Sequence, residues 1–115
     1  DVGGTTAEGS SRINDVFGKW THMAFRYNGT TSSFSIFKDG VPVLNNKVYA
    51  NYGPLVFNKD NLGSIVIGAF PGHVGASTAK PSWAGTPYPG MFDEYRFYNK
   101  AISDSDIKAL YDGKL

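Results

Sequence analysis

SFSIFKDGVPV, Ser33 to Val43, sets two runs of alternating apolar residues around Asp39-Gly40. A two-residue hairpin of type I′ needs positive φ at both central positions, and Asp-Gly is among the few pairs that accept this. The stretch therefore predicts a β-hairpin. Upstream, WTHMAFRYN (Trp20 to Asn28) alternates Met23, Phe25 and Tyr27 with Ala24 and Arg26, which is strand period. Downstream, NKVYANY predicts a continuation or another short strand. SIVIGAF, Ser64 to Phe70, predicts a short β-branched strand buried on both faces. GMFDEYRFY, Gly90 to Tyr98, predicts the last strand, with Asp93, Tyr95 and Phe97 on one face.

The remaining segments punctuate this pattern. Residues 1–11 are small and polar and predict a loop or frayed end. Between Phe70 and Met91 the chain is rich in Gly and Pro and has no usable period, which predicts one long surface loop. The tail predicts a helix over 103–112. Ser103 is its N-cap, Asp106 completes a short capping box, and Ile102 can staple onto Ile107. Asp104 and Asp106 lie at the positive end of the dipole. Ile107, Leu110 and Tyr111 form the buried stripe, and Gly113 ends the helix.

At 115 residues the chain fits a single domain over 1–115. Its net charge of +1, with no basic run, argues against nucleic acid. No apolar run is long enough to span a bilayer, so membrane insertion is not expected. The absence of cysteine excludes disulfides and thiol-ligated metals. The aromatic share of 15% can furnish core contacts and also flat surfaces for a ligand. Several short strands and one terminal helix predict an all-β, antiparallel sandwich of two stacked sheets, with Tyr95 and Phe97 facing inward.

Four motifs, in order, resemble laminin-G-like domains. Gly18-Lys19-Trp20-Thr21-His22-Met23-Ala24 resembles their Trp-His strand, and Phe37-Lys38-Asp39-Gly40 their hairpin. Ile65-Val66-Ile67-Gly68 resembles a third strand. Pro89-Gly90-Met91-Phe92-Asp93-Glu94-Tyr95-Arg96-Phe97-Tyr98-Asn99-Lys100-Ala101-Ile102-Ser103 resembles the closing segment. The resemblance runs from about Ile13 to the C-terminus. It implies the concanavalin A-like jelly roll. Such domains carry more strands before the Trp-His strand, so this chain is expected to be the C-terminal part of a longer one that bears other domains.

A carboxylate on an apolar face is costly unless paired or metal-bound. For Asp93 three readings stand open. The resemblance implies a structural Ca²⁺ site, completed by carbonyls and acids from N-terminal strands. Asp93 could instead accept from backbone amides or from an Arg such as Arg26. It could also lie hydrated at the sheet margin. Glu94 and Arg96 share the opposite face as a solvated pair.

Catalysis is not expected. Glycosidases of the related fold set two carboxylates roughly 5 Å apart on one strand, whereas the only glutamates here are Glu8 and Glu94. His22 and His73 are too few for zinc without cysteine, and there is no G-x-S-x-G elbow. Sugar sites pair a flat ring with planar polar groups. Trp83 and Tyr88 stand in the long loop beside Ser82, Thr86 and His73, and Asn51 and Tyr52 in the preceding turn are further candidates. Trp83 could equally fold back as a lid on the core. Trp20 is expected in the core, and His22 is expected to bond a neighbouring strand. The resemblance implies a non-catalytic module for a glycan or other cell-surface ligand, secreted or displayed on a bacterial outer surface or in the periplasm. The alternative is an adhesion or spacer domain without a small-molecule ligand.

Overall fold

The computed structural model describes residues 16–48, 51–58, 60, 63, 65–76, 78 and 85–113. It divides into two compact units, Asp1–Leu55 with Tyr98–Leu115, and Val56–Phe97.

The first unit holds three strands, β1 (Met23–Asn28), β2 (Ser33–Lys38) and β3 (Val41–Val48), and one helix, α1 (Asp104–Tyr111). The strands form an antiparallel meander in the order β1-β2-β3. Asp39 and Gly40 take φ of 52° and 75°, so the predicted I′ turn is present. The turn is anchored by two bonds to His22, the residue before β1. Asp39 N donates to His22 O (2.9 Å), and His22 N donates to Asp39 Oδ1 (3.0 Å). Gly40 meets a second demand there. A Cβ at that position would lie 2.6 Å from Lys108 Cδ and 3.2 Å from Tyr111 Cδ1, so the missing side chain lets α1 settle on the hairpin tip.

The β2–β3 ladder shifts register between Phe34 and Ile36 and again between Ile36 and Phe37. Asn46 takes φ 47° in the paired segment of β3. The irregularity frees a main-chain amide, and Asn46 N donates to Ser35 Oγ (2.9 Å) instead. This explains the buried Ser35 between Phe34 and Ile36. Ser32, also buried, accepts from Gly53 N (2.9 Å), and Tyr27 Oη donates to Gly53 O (2.7 Å). Together they tie residues 51–55 to the β1–β2 end of the sheet.

The helix starts as its sequence predicts. Ser103 Oγ accepts from Asp106 N, and Asp106 Oδ2 accepts from Ser103 N. Ile107 is buried, with Phe37 and Ile36 of β2, and Ile102 is half-buried. The helix docks through Arg26. Its Nη1 donates to Asp104 Oδ1 (2.5 Å) and Ile102 O (3.1 Å), and its Nη2 to Ser35 Oγ (3.3 Å) and Asn46 Oδ1 (3.4 Å). The guanidinium also lies 5.0 Å from the centroid of the Phe37 ring.

Several sequence expectations are not met. Residues 65–70 and 90–98 form no strand, and no strand lies among the described residues of the second unit. Ile65 and Ile67 are exposed rather than buried on both faces. Tyr95 and Phe97 are 59% and 67% exposed, not inward. Glu94 takes φ 51°, which interrupts the extended backbone in mid-segment. Trp20, expected in the core, is 64% exposed. The physical reason is common to all of them. Alternation says which side chains share a face, but burial of that face needs a second layer. The described residues hold one three-stranded sheet and no sheet opposite it. His22 bonds the Asp39-Gly40 turn through its main chain rather than a neighbouring strand, while its ring packs on Tyr111 (5.9 Å between centroids) and its Nδ1 is buried without a partner.

Three substitutions test this packing by their effect on stability. Arg26→Met should cost about 1.5–3 kcal/mol in urea unfolding, because it strips charge-assisted bonds from a side chain that is 13% exposed. Asp104→Asn, at a carboxylate 54% exposed, should cost less than about 1 kcal/mol. Gly40→Ala should cost about 1 kcal/mol or more in the same assay, from positive φ and the clash with Lys108.

Candidate ligand-binding surface

The predicted ligand residues fall in different parts of the chain. Asn51 and Tyr52 belong to the first unit, where both are exposed. His73 and Tyr88 belong to the second. Trp83 and Ser82 lie outside the described residues.

Within the second unit two short structures meet the 68–70 segment. Pro71–His73 forms a 3-10 turn. Pro71 presets φ for its first residue and gives up an amide that needs no partner there. His73 N donates to Phe70 O (2.9 Å), and Phe70 N donates back to His73 Nδ1 (3.3 Å). The His73 ring stands edge-on to Phe70 at 5.8 Å, with Nε2 buried and unpartnered. His73 therefore serves the turn itself: one nitrogen holds the backbone and the other faces away from solvent.

Tyr88 is placed differently. Its N–H donates to Gly68 O (2.6 Å), and its ring is 55% exposed. The ring lies so close over Gly90 that a Cβ there would come within 2.1 Å of Tyr88 Cε1. Phe92 sits over Gly68, whose φ is 72°, with a built Cβ at 2.7 Å from Phe92 Cε2. The Tyr88 and Phe92 rings meet at 5.3 Å with planes tilted by 50°. Both stay more than half exposed. Two glycines thus let a pair of aromatic rings approach the backbone closely while staying more than half exposed. Such rings offer apolar faces to a ligand, and the Tyr88 hydroxyl adds a polar edge.

Sequence reasoning found Tyr88 and missed Phe92, Gly68 and Gly90. The available signal was Tyr-x-Gly-x-Phe at Tyr88, Gly90 and Phe92, where a glycine between two aromatics removes the side chain that would separate them.

Asp93 is exposed, and its Oδ1 accepts from Glu94 N (2.8 Å). The expectation that it lies on a buried apolar face is not met, because its neighbours on that face are themselves exposed. Among the described residues no three Asp, Glu or His side chains gather as metal ligands. Glu94 and Arg96 form the expected solvated pair (3.5 Å). Among the described residues no helix is long and apolar enough to cross a membrane.

Comparison with known proteins sets this geometry in a family. No curated protein matches the chain. A crystal structure of an S-layer domain-containing protein (residues 221–444) from Clostridium thermocellum is similar in fold. Its TM-score is 0.59 and its sequence identity 22%, over 86% of this chain and 42% of that one. This chain therefore spans less than half the length of that solved chain. The family model for the concanavalin A-like lectin/glucanases superfamily matches residues 1–108. With a match over nearly its whole length, the chain belongs to the concanavalin A-like lectin/glucanase superfamily.

Proposed function

We propose that the chain is part of a non-catalytic recognition module and that glycans are its ligand class. The observation that carries this is the exposed Tyr88–Phe92 pair, built over two glycines rather than buried. Aromatic faces held rigidly at a surface suit the C–H face of a pyranose, and ring hydroxyls or neighbouring polar groups can meet its hydroxyls. Membership of a superfamily that includes lectins supports the same class. Trp83, Asn51 and Tyr52 remain candidates for further contacts. Non-catalytic action is supported by the dispersed carboxylates: Asp104 pairs with Arg26, Asp106 caps the helix, and Glu94 pairs with Arg96.

The three-stranded sheet forms part of one layer of a jelly-roll sandwich. The module belongs to a larger protein displayed outside the cell. The S-layer name of the similar solved protein supports that location, and its greater length supports the larger parent.

An adhesion or spacer role is the second reading, favoured by the amount of exposed apolar side chain, Phe57, Met91, Tyr95 and Phe97 included. The two readings separate on one measurement. Binding to an immobilised glycan panel should occur for the chain and fall at least about tenfold, or ~1.4 kcal/mol, in Tyr88→Ala. Binding to no glycan, or binding untouched by Tyr88→Ala and Trp83→Ala alike, would leave the adhesion reading.

Calcium at Asp93 is a separate proposal. One carboxylate supplies at most a bidentate share of the about six to eight oxygens calcium takes. Asp93 would have to act together with further oxygens, carbonyls included. If it does, added Ca²⁺ should raise the melting temperature relative to chelator, and Asp93→Asn should remove most of the difference. A melting temperature indifferent to Ca²⁺ would dismiss it.

A further inference from the structure

Asn28 closes β1, and Gly29 opens the turn to β2. Asn28 is the one asparagine of the chain that a glycine follows. Its Oδ1 accepts from Thr30 N (3.0 Å), an Asx-turn that folds the carboxamide back over the Asn28–Gly29 peptide bond. The ring closed by this hydrogen bond contains both Asn28 Cγ and Gly29 N, and holds them near each other. The Thr30 N–H also draws charge onto Oδ1. It makes Cγ more electrophilic and already stands at the oxygen where negative charge develops on attack. Gly29 bears no side chain to screen its nitrogen. Thr30 and Thr31 are exposed, so water reaches the turn.

We propose that Asn28 is a self-modification site, at which the folded chain converts its own carboxamide to a carboxylate. Gly29 N loses its proton to base and attacks Asn28 Cγ. The new N–Cγ bond closes a succinimide, the Cγ–Nδ2 bond breaks, and the amine departs with a proton as ammonia. Water then adds to one of the two imide carbonyls and opens the ring. Cleavage between Gly29 N and Cγ leaves Asp. Cleavage between Gly29 N and the original main-chain carbonyl carbon leaves isoaspartate, whose main chain runs through Cβ and Cγ and is longer by one carbon.

The other residues of this type are directed elsewhere. Asp39 and Asp112 also precede glycine, but an ionised carboxylate is a poorer electrophile than an amide. Asp39 Oδ1 accepts from His22 N and Asp112 Oδ1 from Lys108 Nζ, so each reaches back along the chain. Asn46 Oδ1 accepts from Arg26 and Ser35, and Lys47 follows it.

The two products differ in what the turn can accept. Asp keeps an acceptor for Thr30 N, now charge-assisted. Isoaspartate loses it and displaces Gly29, where there is no room. A Cβ at Gly29 would already lie 2.6 Å from Pro54 Cα and 3.4 Å from Gly53 O. Gly53 is the residue bonded by Tyr27 Oη and Ser32 Oγ. Isoaspartate at position 28 therefore loosens residues 51–55 from the end of the sheet.

The test follows the folded 115-residue chain at mildly alkaline pH and body temperature by peptide mapping with mass spectrometry. Asn28 should exchange its amide for a hydroxyl before any other asparagine, giving Asp and isoaspartate, while Asp39 and Asp112 stay unisomerised. Asn28→Gln should abolish the change at position 28, because the longer side chain would have to close a larger, slower-forming ring. It stands in for Gly29→Ala, which the contact with Pro54 disfavours. Asn28→Asp should melt close to the unmodified chain, and the purified isoaspartate form should melt below both. An Asn28 that keeps its amide in the folded chain but loses it in urea overturns the proposal. So does loss of amide at the other asparagines at the same pace. An isoaspartate form that melts with Asn28→Asp overturns the loosening of residues 51–55.

Discussion

A guanidinium taken out of water has five N–H donors to satisfy, and Arg26 is 13% exposed. The surrounding elements are arranged to meet that demand. Asp104 at the first turn of α1 supplies charge, and Ile102 supplies a carbonyl from just before the helix. Ser35 and Asn46 supply oxygens from β2 and β3. One side chain therefore ties all three strands and the C-terminal helix. The helix can be short because Arg26 holds it at its N-terminus and its own Ile107 is buried. An isolated eight-residue helix would be marginal in water however good its cap.

The parts of this arrangement that were legible in the sequence are the local ones. The Asp39-Gly40 turn and the Ser103–Asp106 capping box each depend on residues within a few positions, and their chemistry admits few alternatives. Strand β1 was legible because a turn fixes its partner's register, and register fixes which side chains alternate inward. The Arg26–Asp104 bond was not, since it joins residues 78 apart and no local pattern announces it. The expected strands at 65–70 and 90–98 failed for a related reason. Their alternation is real, but a period of two carries no information on whether a facing layer exists. Glu94, with φ of 51°, shows the chain taking a route the pattern does not encode.

The candidate surface divides along the same line. Tyr88 could be named from its place in a Gly- and Pro-rich stretch, because such stretches run over surfaces. Its partner Phe92 could not be named from period alone, since an aromatic residue in an apparent strand reads as core. What sets Phe92 outward is contact with Gly68, across two dozen residues of chain. His73 looked like a ligand residue by type, yet Phe70 N already occupies Nδ1 and Nε2 is turned inward. Chemical type nominates a residue, and its hydrogen bonds decide what remains free for a partner.

Exposed aromatics alone would be a weak guide in a molecule with so many of them. The Tyr88–Phe92 pair differs from Phe57 or Tyr95 in the backbone beneath it. A ring that is exposed only because nothing covers it needs no special residue under it. Here Gly68 takes positive φ, and Gly90 leaves room that no other residue could leave without a shift of the Tyr88 ring. Glycine in place of alanine raises the conformational entropy lost on folding, a cost of roughly 0.5–1 kcal/mol per site. In a unit with little buried apolar surface among its described residues, two such sites are a measurable fraction of the stability at hand. That cost is met where two rings come close to main chain and stay more than half exposed, which marks the pair as a built surface and the remaining exposed side chains as uncovered ones.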